Sequence, residues 1–81
     1  MNVTNYFVTV LLEKHPETLR NLRAIIDAVD SGNMEGYAVE SSGRIRRWVY
    51  IADAKKYFRI VFLSDGKTVL NAFPDSRYKK E

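Results

Sequence analysis

Residues 57–74 read YFRIVFLSDGKTVLNAFP, and the fold turns on how this stretch is parsed. Side chains along a strand alternate between faces, so Phe58, Ile60 and Phe62 fall on one side and Tyr57, Arg59, Val61 and Leu63 on the other. Asp65-Gly66 then supplies the positive-φ residues of a tight hairpin turn. The returning strand divides into Thr68, Leu70, Ala72 and Val69, Asn71, Phe73, and it ends at Pro74, which cannot continue a central ladder. Arg59 and Asn71 are therefore expected on one sheet face, interrupting a surface that is otherwise apolar.

The period of two extends upstream. Residues 44–52, RIRRWVYIA, split into Ile45, Arg47, Val49, Ile51 and Arg46, Trp48, Tyr50, Ala52. The first set is apolar apart from Arg47 and matches Phe58, Ile60, Phe62, Leu70 and Ala72 beneath a helix. The second set joins Tyr57, Arg59 and Asn71. A further strand over residues 37–40 precedes the turn Ser41-Ser42-Gly43, and the short connections imply an antiparallel meander.

Residues 16–29 have helical spacing instead, with Leu19, Leu22, Ile26 and Val29 in register and Ile25 beside them. Pro16 suits the first helical position, and Asp30-Ser31-Gly32-Asn33 tolerates the left-handed turn that ends a helix. Residues 6–14 are ambiguous: Val8 and Val10 favour a strand, whereas Phe7, Val10 and Leu11 are spaced for a helix that Thr4 or Asn5 would cap. The expected class is α+β, with an N-terminal part of one or two helices packed on one face of an antiparallel sheet of about four strands.

At 81 residues the chain is expected to form a single domain, 1–81, with enough apolar and aromatic side chains to build a core. It has no cysteine, which removes disulfides and thiolate metal sites and fits a reducing, cytoplasmic setting. Its longest apolar run, residues 7–12, falls far short of the ~20 residues needed to span a bilayer, so no membrane association is expected. No glycine-rich phosphate loop, Ser-His-Asp order or metal-ligand spacing is present, and no metal or cofactor is expected.

Charge is distributed unevenly. Residues 1–43 carry three basic and six acidic side chains, and residues 44–81 carry ten and four. A basic half with Arg46, Arg59, Asn71, Trp48, Tyr50 and Tyr57 on one sheet face suits RNA, because arginine pairs with phosphate and aromatic rings stack on exposed bases. The ordinary reading is a wet sheet face with cross-strand aromatic pairs. Arg44, Lys55, Lys56, Arg77, Lys79 and Lys80 are more often solvated charges than ligands. His15, the sole histidine, ordinarily reads as a boundary residue before Pro16, and functionally as a proton carrier near neutral pH.

The order Leu11-Leu12-Glu13-Lys14-His15-Pro16-Glu17, an amphipathic helix, a basic RxRR stretch, then FRIVFL, DGKTV and NAFP resembles the phage- and plasmid-encoded nuclease-like domains of the barnase, EndoU, colicin and RelE-type group. In that group a helix ends in His-Pro-Glu and the last strand ends in Thr-Ala-Phe or a similar triplet. The resemblance covers most of the chain. It implies a helix over residues 6–14, makes His15 and Arg59 site residues, and places Asn71 where many relatives have threonine. Relatives often carry a second histidine one turn before the His-Pro pair, where this chain has Val10 or Leu11.

The implied activity is that of a small metal-independent endoribonuclease, a toxin of a phage or of a toxin–antitoxin system, with RNA as substrate and a cognate antitoxin or immunity protein as partner. In this scheme the 2′-hydroxyl attacks its phosphate, His15 or Tyr50 moves a proton, Arg46 and Arg59 stabilise the developing charge, and Asn71 positions phosphate or ribose. Arg46, Trp48, Tyr57 and Arg59 would bind the nucleic acid. The alternative keeps the fold without the chemistry: a noncatalytic RNA- or protein-binding domain.

Overall fold

The computed structural model describes residues 1–79; Lys80 and Glu81 lie outside the described residues. A two-residue strand β1 (Asn2–Val3) leads into helices α1 (Asn5–Lys14), α2 (Pro16–Arg20) and α3 (Leu22–Ser31), followed by β2 (Glu35–Val39), β3 (Ile45–Ile51), β4 (Lys56–Phe62) and β5 (Thr68–Pro74). The sheet order is β1-β5-β4-β3-β2. β2 to β5 form the expected antiparallel meander, and β1 adds a fifth strand, parallel to β5 through Asn2 opposite Thr68 and Val3 opposite Val69. A two-residue strand has no periodicity to read. The helices gather on one face, where Phe7, Leu11 and Ile25 pack with Val49, Phe58, Ile60, Phe62, Val69 and Ala72.

Residues 6–14 are helical. Thr4, with extended backbone, accepts the Phe7 N–H at 3.0 Å and so satisfies one of the donors that a helix start leaves open. Amphipathic spacing then directs Phe7 and Leu11 into the core.

The single helix expected over residues 16–29 is in fact two, divided at Asn21. The cause lies in α2: Thr18 is fully buried and its hydroxyl donates to the Ala72 carbonyl at 2.9 Å, turning Leu19 outward. Satisfying a buried carbonyl in β5 outweighs the burial of one leucine there. Restarting at Leu22 resets the phase, so Ile25 takes the core position that the spacing assigned to Ile26. Gly32, at φ +74°, ends α3 in the left-handed conformation, and the Asn33 N–H returns to the Ala28 carbonyl at 2.8 Å.

A second correction concerns β5. Val61 lies opposite Asn71, but Phe62 lies opposite Val69, leaving Leu70 as the extra residue of a bulge. The bulge exchanges two expected positions: Val69 is fully buried, and Leu70 joins the open face. Asp65 holds the turn that precedes it, with Oδ1 accepting the Lys67 and Thr68 N–H groups and Oδ2 accepting the Thr68 hydroxyl, at 2.7–2.9 Å.

Arg47 shares the covered face, paired with Ile60, without breaching the core. Its guanidinium reaches the irregular edge strand β2 and donates to the carbonyls of Gly36 and Met34.

Candidate functional site

The register places Arg46, Trp48 and Tyr50 opposite Val61, Arg59 and Tyr57, and places Asn71 and Phe73 opposite Val61 and Arg59. These side chains therefore share the face that the helices leave open. The face has two unlike halves.

One half is a cleft of about 430 Å³ lined by Tyr6, Glu40, Arg44, Arg59, Asn71 and Phe73, with Val61 and Leu70 as its apolar floor. The bulge at Leu70 is what lets Leu70 and Asn71 both contribute. Asn71 gives its amide oxygen to the Ala72 N–H at 2.9 Å, leaving the NH2 group as its available donor. Arg44 makes no ion pair among the described residues, and Glu40 is bound at 2.6 Å by Arg46, which reaches the cleft only through that carboxylate. The Arg46 hydrogen bond holds the Glu40 carboxyl below its usual range.

Arg59 stands between the halves. Its Nε donates to Asp75 Oδ2 at 3.0 Å and its Nη2 lies 2.9 Å from the same oxygen as an ion pair, and its guanidinium carbon lies 5.4 Å from the Phe73 ring centre and 6.0 Å from that of Trp48. Trp48 Nε1 donates to the same oxygen at 3.0 Å, and the Arg77 N–H to Oδ1 at 3.1 Å. Asp75 is only 7% exposed. Burial pushes its carboxyl upward, but the hydrogen bonds from Trp48 and Arg59 outweigh that and hold it below the ordinary value.

The other half is filled by the protein itself. Tyr78 stacks on Trp48 at 4.5 Å and 15°, and its edge meets Tyr57 at 4.9 Å; Tyr57 in turn meets Tyr50 at 5.1 Å. Gly36, at φ +69°, makes room for this arrangement, since a Cβ there would lie 2.6 Å from Trp48 Cε3. The Tyr57 hydroxyl is hydrogen-bonded to Glu35, which, with partial burial, pushes its pKa up to about 12.

The sequence-derived candidates thus divide. Arg59 and Asn71 line the cleft, and Arg46 sits at its rim. Trp48, 8% exposed, lies under Tyr78, while Tyr50 and Tyr57 belong to the aromatic half. His15, between α1 and α2, stacks on Phe73 at 6.0 Å; it adjoins the cleft through that ring and does not line it.

Sequence reasoning passed over Glu40, Tyr6, Asp75 and Tyr78. The missed signal for Asp75 is simple: alternation continued through Pro74 puts Asp75 on the face of Arg59 and Phe73. Its N–H donates to the Tyr57 carbonyl at 2.9 Å, one step beyond the Phe58–Pro74 pair. Proline is tolerated at that point because β1 flanks β5 only at Thr68 and Val69.

Comparison with protein-family models, with curated proteins and with solved structures finds no match. Among the described residues no helix is long and apolar enough to cross a membrane, and no group of three His, Asp or Glu side chains is placed to hold a metal ion.

Proposed function

We propose that the cleft is an RNA site and that the protein is a small metal-independent endoribonuclease. The observation that carries this reading is the gathering of Arg59, Arg44, Asn71 and Glu40 in one cleft, with His15 packed against its Phe73 wall. Guanidinium and amide donors suit a phosphate, and a carboxylate and an imidazole stand within and beside the cleft. The 2′-hydroxyl attacks the adjacent phosphorus and its proton passes to a base, Glu40 or His15. The bond to the 5′-oxygen breaks, and that oxygen takes up a proton as the 2′,3′-cyclic phosphate forms. Arg59 and Asn71 hold the phosphate, and Arg44 adds positive charge. Tyr50, among the aromatic rings, has no part in this scheme. The resemblance to phage and plasmid nuclease-like domains supports the same activity, and with it a toxin's role and a cognate antitoxin or immunity protein as partner.

A second reading is favoured by one observation: the Phe73 ring lies in contact with both His15 and Arg59, so the only imidazole stands outside the cleft. On that reading the domain binds RNA without cleaving it. Labelled RNA incubated with the protein in chelator decides between them. Cleavage leaves fragments with 2′,3′-cyclic ends, and His15→Ala or Glu40→Gln lowers the rate by ~10²-fold for whichever group moves the proton. Intact RNA with a salt-sensitive mobility shift leaves the binding domain, and neither result leaves no RNA function at all.

A further inference from the structure

Asp75 has no place in the scheme above, yet its carboxylate binds both Arg59 and Trp48. Its backbone is fixed by the N–H donated to the Tyr57 carbonyl, and its Oδ2 collects Arg59 Nε, Arg59 Nη2 and Trp48 Nε1 within 2.9–3.0 Å. A long, flexible arginine side chain carries considerable rotamer entropy, and binding an anion ordinarily requires that freedom to be given up. Here one edge of the guanidinium is already docked on a buried carboxylate, and Phe73 lies against it. Nη1 and the second Nη2 hydrogen remain for a ligand in the cleft that Arg59 lines.

We propose that Asp75 is the positioning residue of this site, holding Arg59 so that the free edge of its guanidinium is preset for an RNA phosphate. The proposal rests on the RNA reading of the cleft for its ligand. Its geometry is separate from that reading and is tested separately. The opposite role, a carboxylate that competes with phosphate for Arg59 and whose removal tightens binding, requires a displaceable group. Burial of Asp75 and its additional bonds to Trp48 and the Arg77 N–H argue against a displaceable group.

The test is Asp75→Asn, close in shape and uncharged, measured for binding to a short single-stranded oligoribonucleotide across a salt series, alone and combined with Arg59→Ala. Affinity is expected to fall about tenfold, in keeping with loss of charge-assisted hydrogen bonds. The slope against salt is expected to become shallower by about one phosphate contact. In the Arg59→Ala background the same substitution should cost nothing further, since it acts through Arg59.

Unchanged or tighter binding overturns the proposal, and so does a loss of equal size with Arg59 absent, which marks a structural role. The Arg59 Nε–H resonance, followed by NMR without RNA, should be protected from exchange in the unsubstituted protein and lose that protection in Asp75→Asn while the β3 and β4 amides keep theirs. Protection unaltered by the substitution overturns the proposal as well. If the unsubstituted protein shows no salt-sensitive RNA association, the RNA reading falls and takes the ligand with it. The Arg59 resonance then still decides whether Asp75 holds the guanidinium.

Discussion

The two halves of the open sheet face are built from the same alternating strands and end in opposite states. In the aromatic half, Trp48, Tyr57 and Tyr50 meet one another or Tyr78, and the residues after β5 fold back to complete the stack. In the cleft half, polar side chains line a space that no segment of the described residues fills. Exposed aromatic rings gain by packing together, at about 0.5–1.5 kcal/mol per pair beyond area burial. Arginine and amide groups in water gain little by doing so. Aromatic content on a sheet face is therefore weak evidence of a binding platform, because the protein's own rings are the nearest partners. Polar groups left open are the better guide.

Both halves rest on the same covered face, so the largest effect should be common to them. Phe58 is fully buried and faces the helices. Phe58→Ala should cost about 3–5 kcal/mol through lost burial and a cavity, against a total stability for such domains of about 5–15 kcal/mol. Urea unfolding measures this. A loss below about 1 kcal/mol would mean that the core is organised otherwise than around β4.

Arg59 is where the halves meet, and its removal should be felt in both. Arg59→Ala is expected to lower RNA cleavage or binding by ~10²-fold. Alternation alone makes Arg59 a site residue with no bearing on folding. The contact with Asp75 changes that expectation, because a buried carboxylate would lose its guanidinium partner and keep mainly Trp48 Nε1 and the Arg77 N–H. The thermal midpoint should therefore fall together with RNA affinity. Asn71→Ala offers the contrast: it lines the cleft, and its side chain accepts from the N–H of its neighbour Ala72, so RNA affinity should fall with the thermal midpoint little changed.

Gly36→Ala should damage the aromatic half alone. The new Cβ would meet Trp48 Cε3 at 2.6 Å and the Tyr78 hydroxyl at 2.9 Å, on a backbone at φ +69°. A cost of about 1–3 kcal/mol is expected from the strained conformation and the displaced rings. The near-ultraviolet circular dichroism of the Trp48–Tyr78 stack should weaken. RNA affinity should change less than in Arg59→Ala, and an equal loss would show that the aromatic half takes part in binding after all.

What could be read from the sequence follows from which signals are local. Strict alternation and the Asp65-Gly66 turn were enough to put Arg59 and Asn71 on one face and Phe58, Ile60 and Phe62 under the helices. Three features depended on contacts distant in sequence. The helix break at Asn21 serves a hydrogen bond from Thr18 to Ala72, 54 residues away. The Leu70 bulge exchanges Leu70 for Val69 in the core, which an apolar pattern tolerates either way. Asp75 and Tyr78 lie beyond a proline that reads as the end of the strand; alternation carried through Pro74 reaches Asp75, but the return of Tyr78 to Trp48 leaves no periodic trace.

The smallest expected effect lies at the turn that sets the cleft's register. Asp65 accepts two backbone N–H groups and the Thr68 hydroxyl, and hydrogen bonds first from the Thr68 and then from the Lys67 backbone bring its pKa down from 3.8 to about 2. A carboxyl whose folded pKa is depressed contributes its stabilisation fully above the unfolded value and loses it as pH falls through the folded one. The contribution should therefore be intact above about pH 4 and gone below about pH 2, with the loss confined to that window. Because the turn is exposed, solvent and salt screen the effect and keep it small. An NMR titration of the Asp65 carboxyl, followed together with the Thr68 amide, should give a common midpoint near 2. Asp65→Asn should abolish that transition, speed exchange of the Lys67 and Thr68 amides at neutral pH, and loosen the Leu70 bulge that carries Asn71 to the cleft. A midpoint near the ordinary value would mean that Asp65 does not grip the turn, and the register of the cleft wall would then need another anchor.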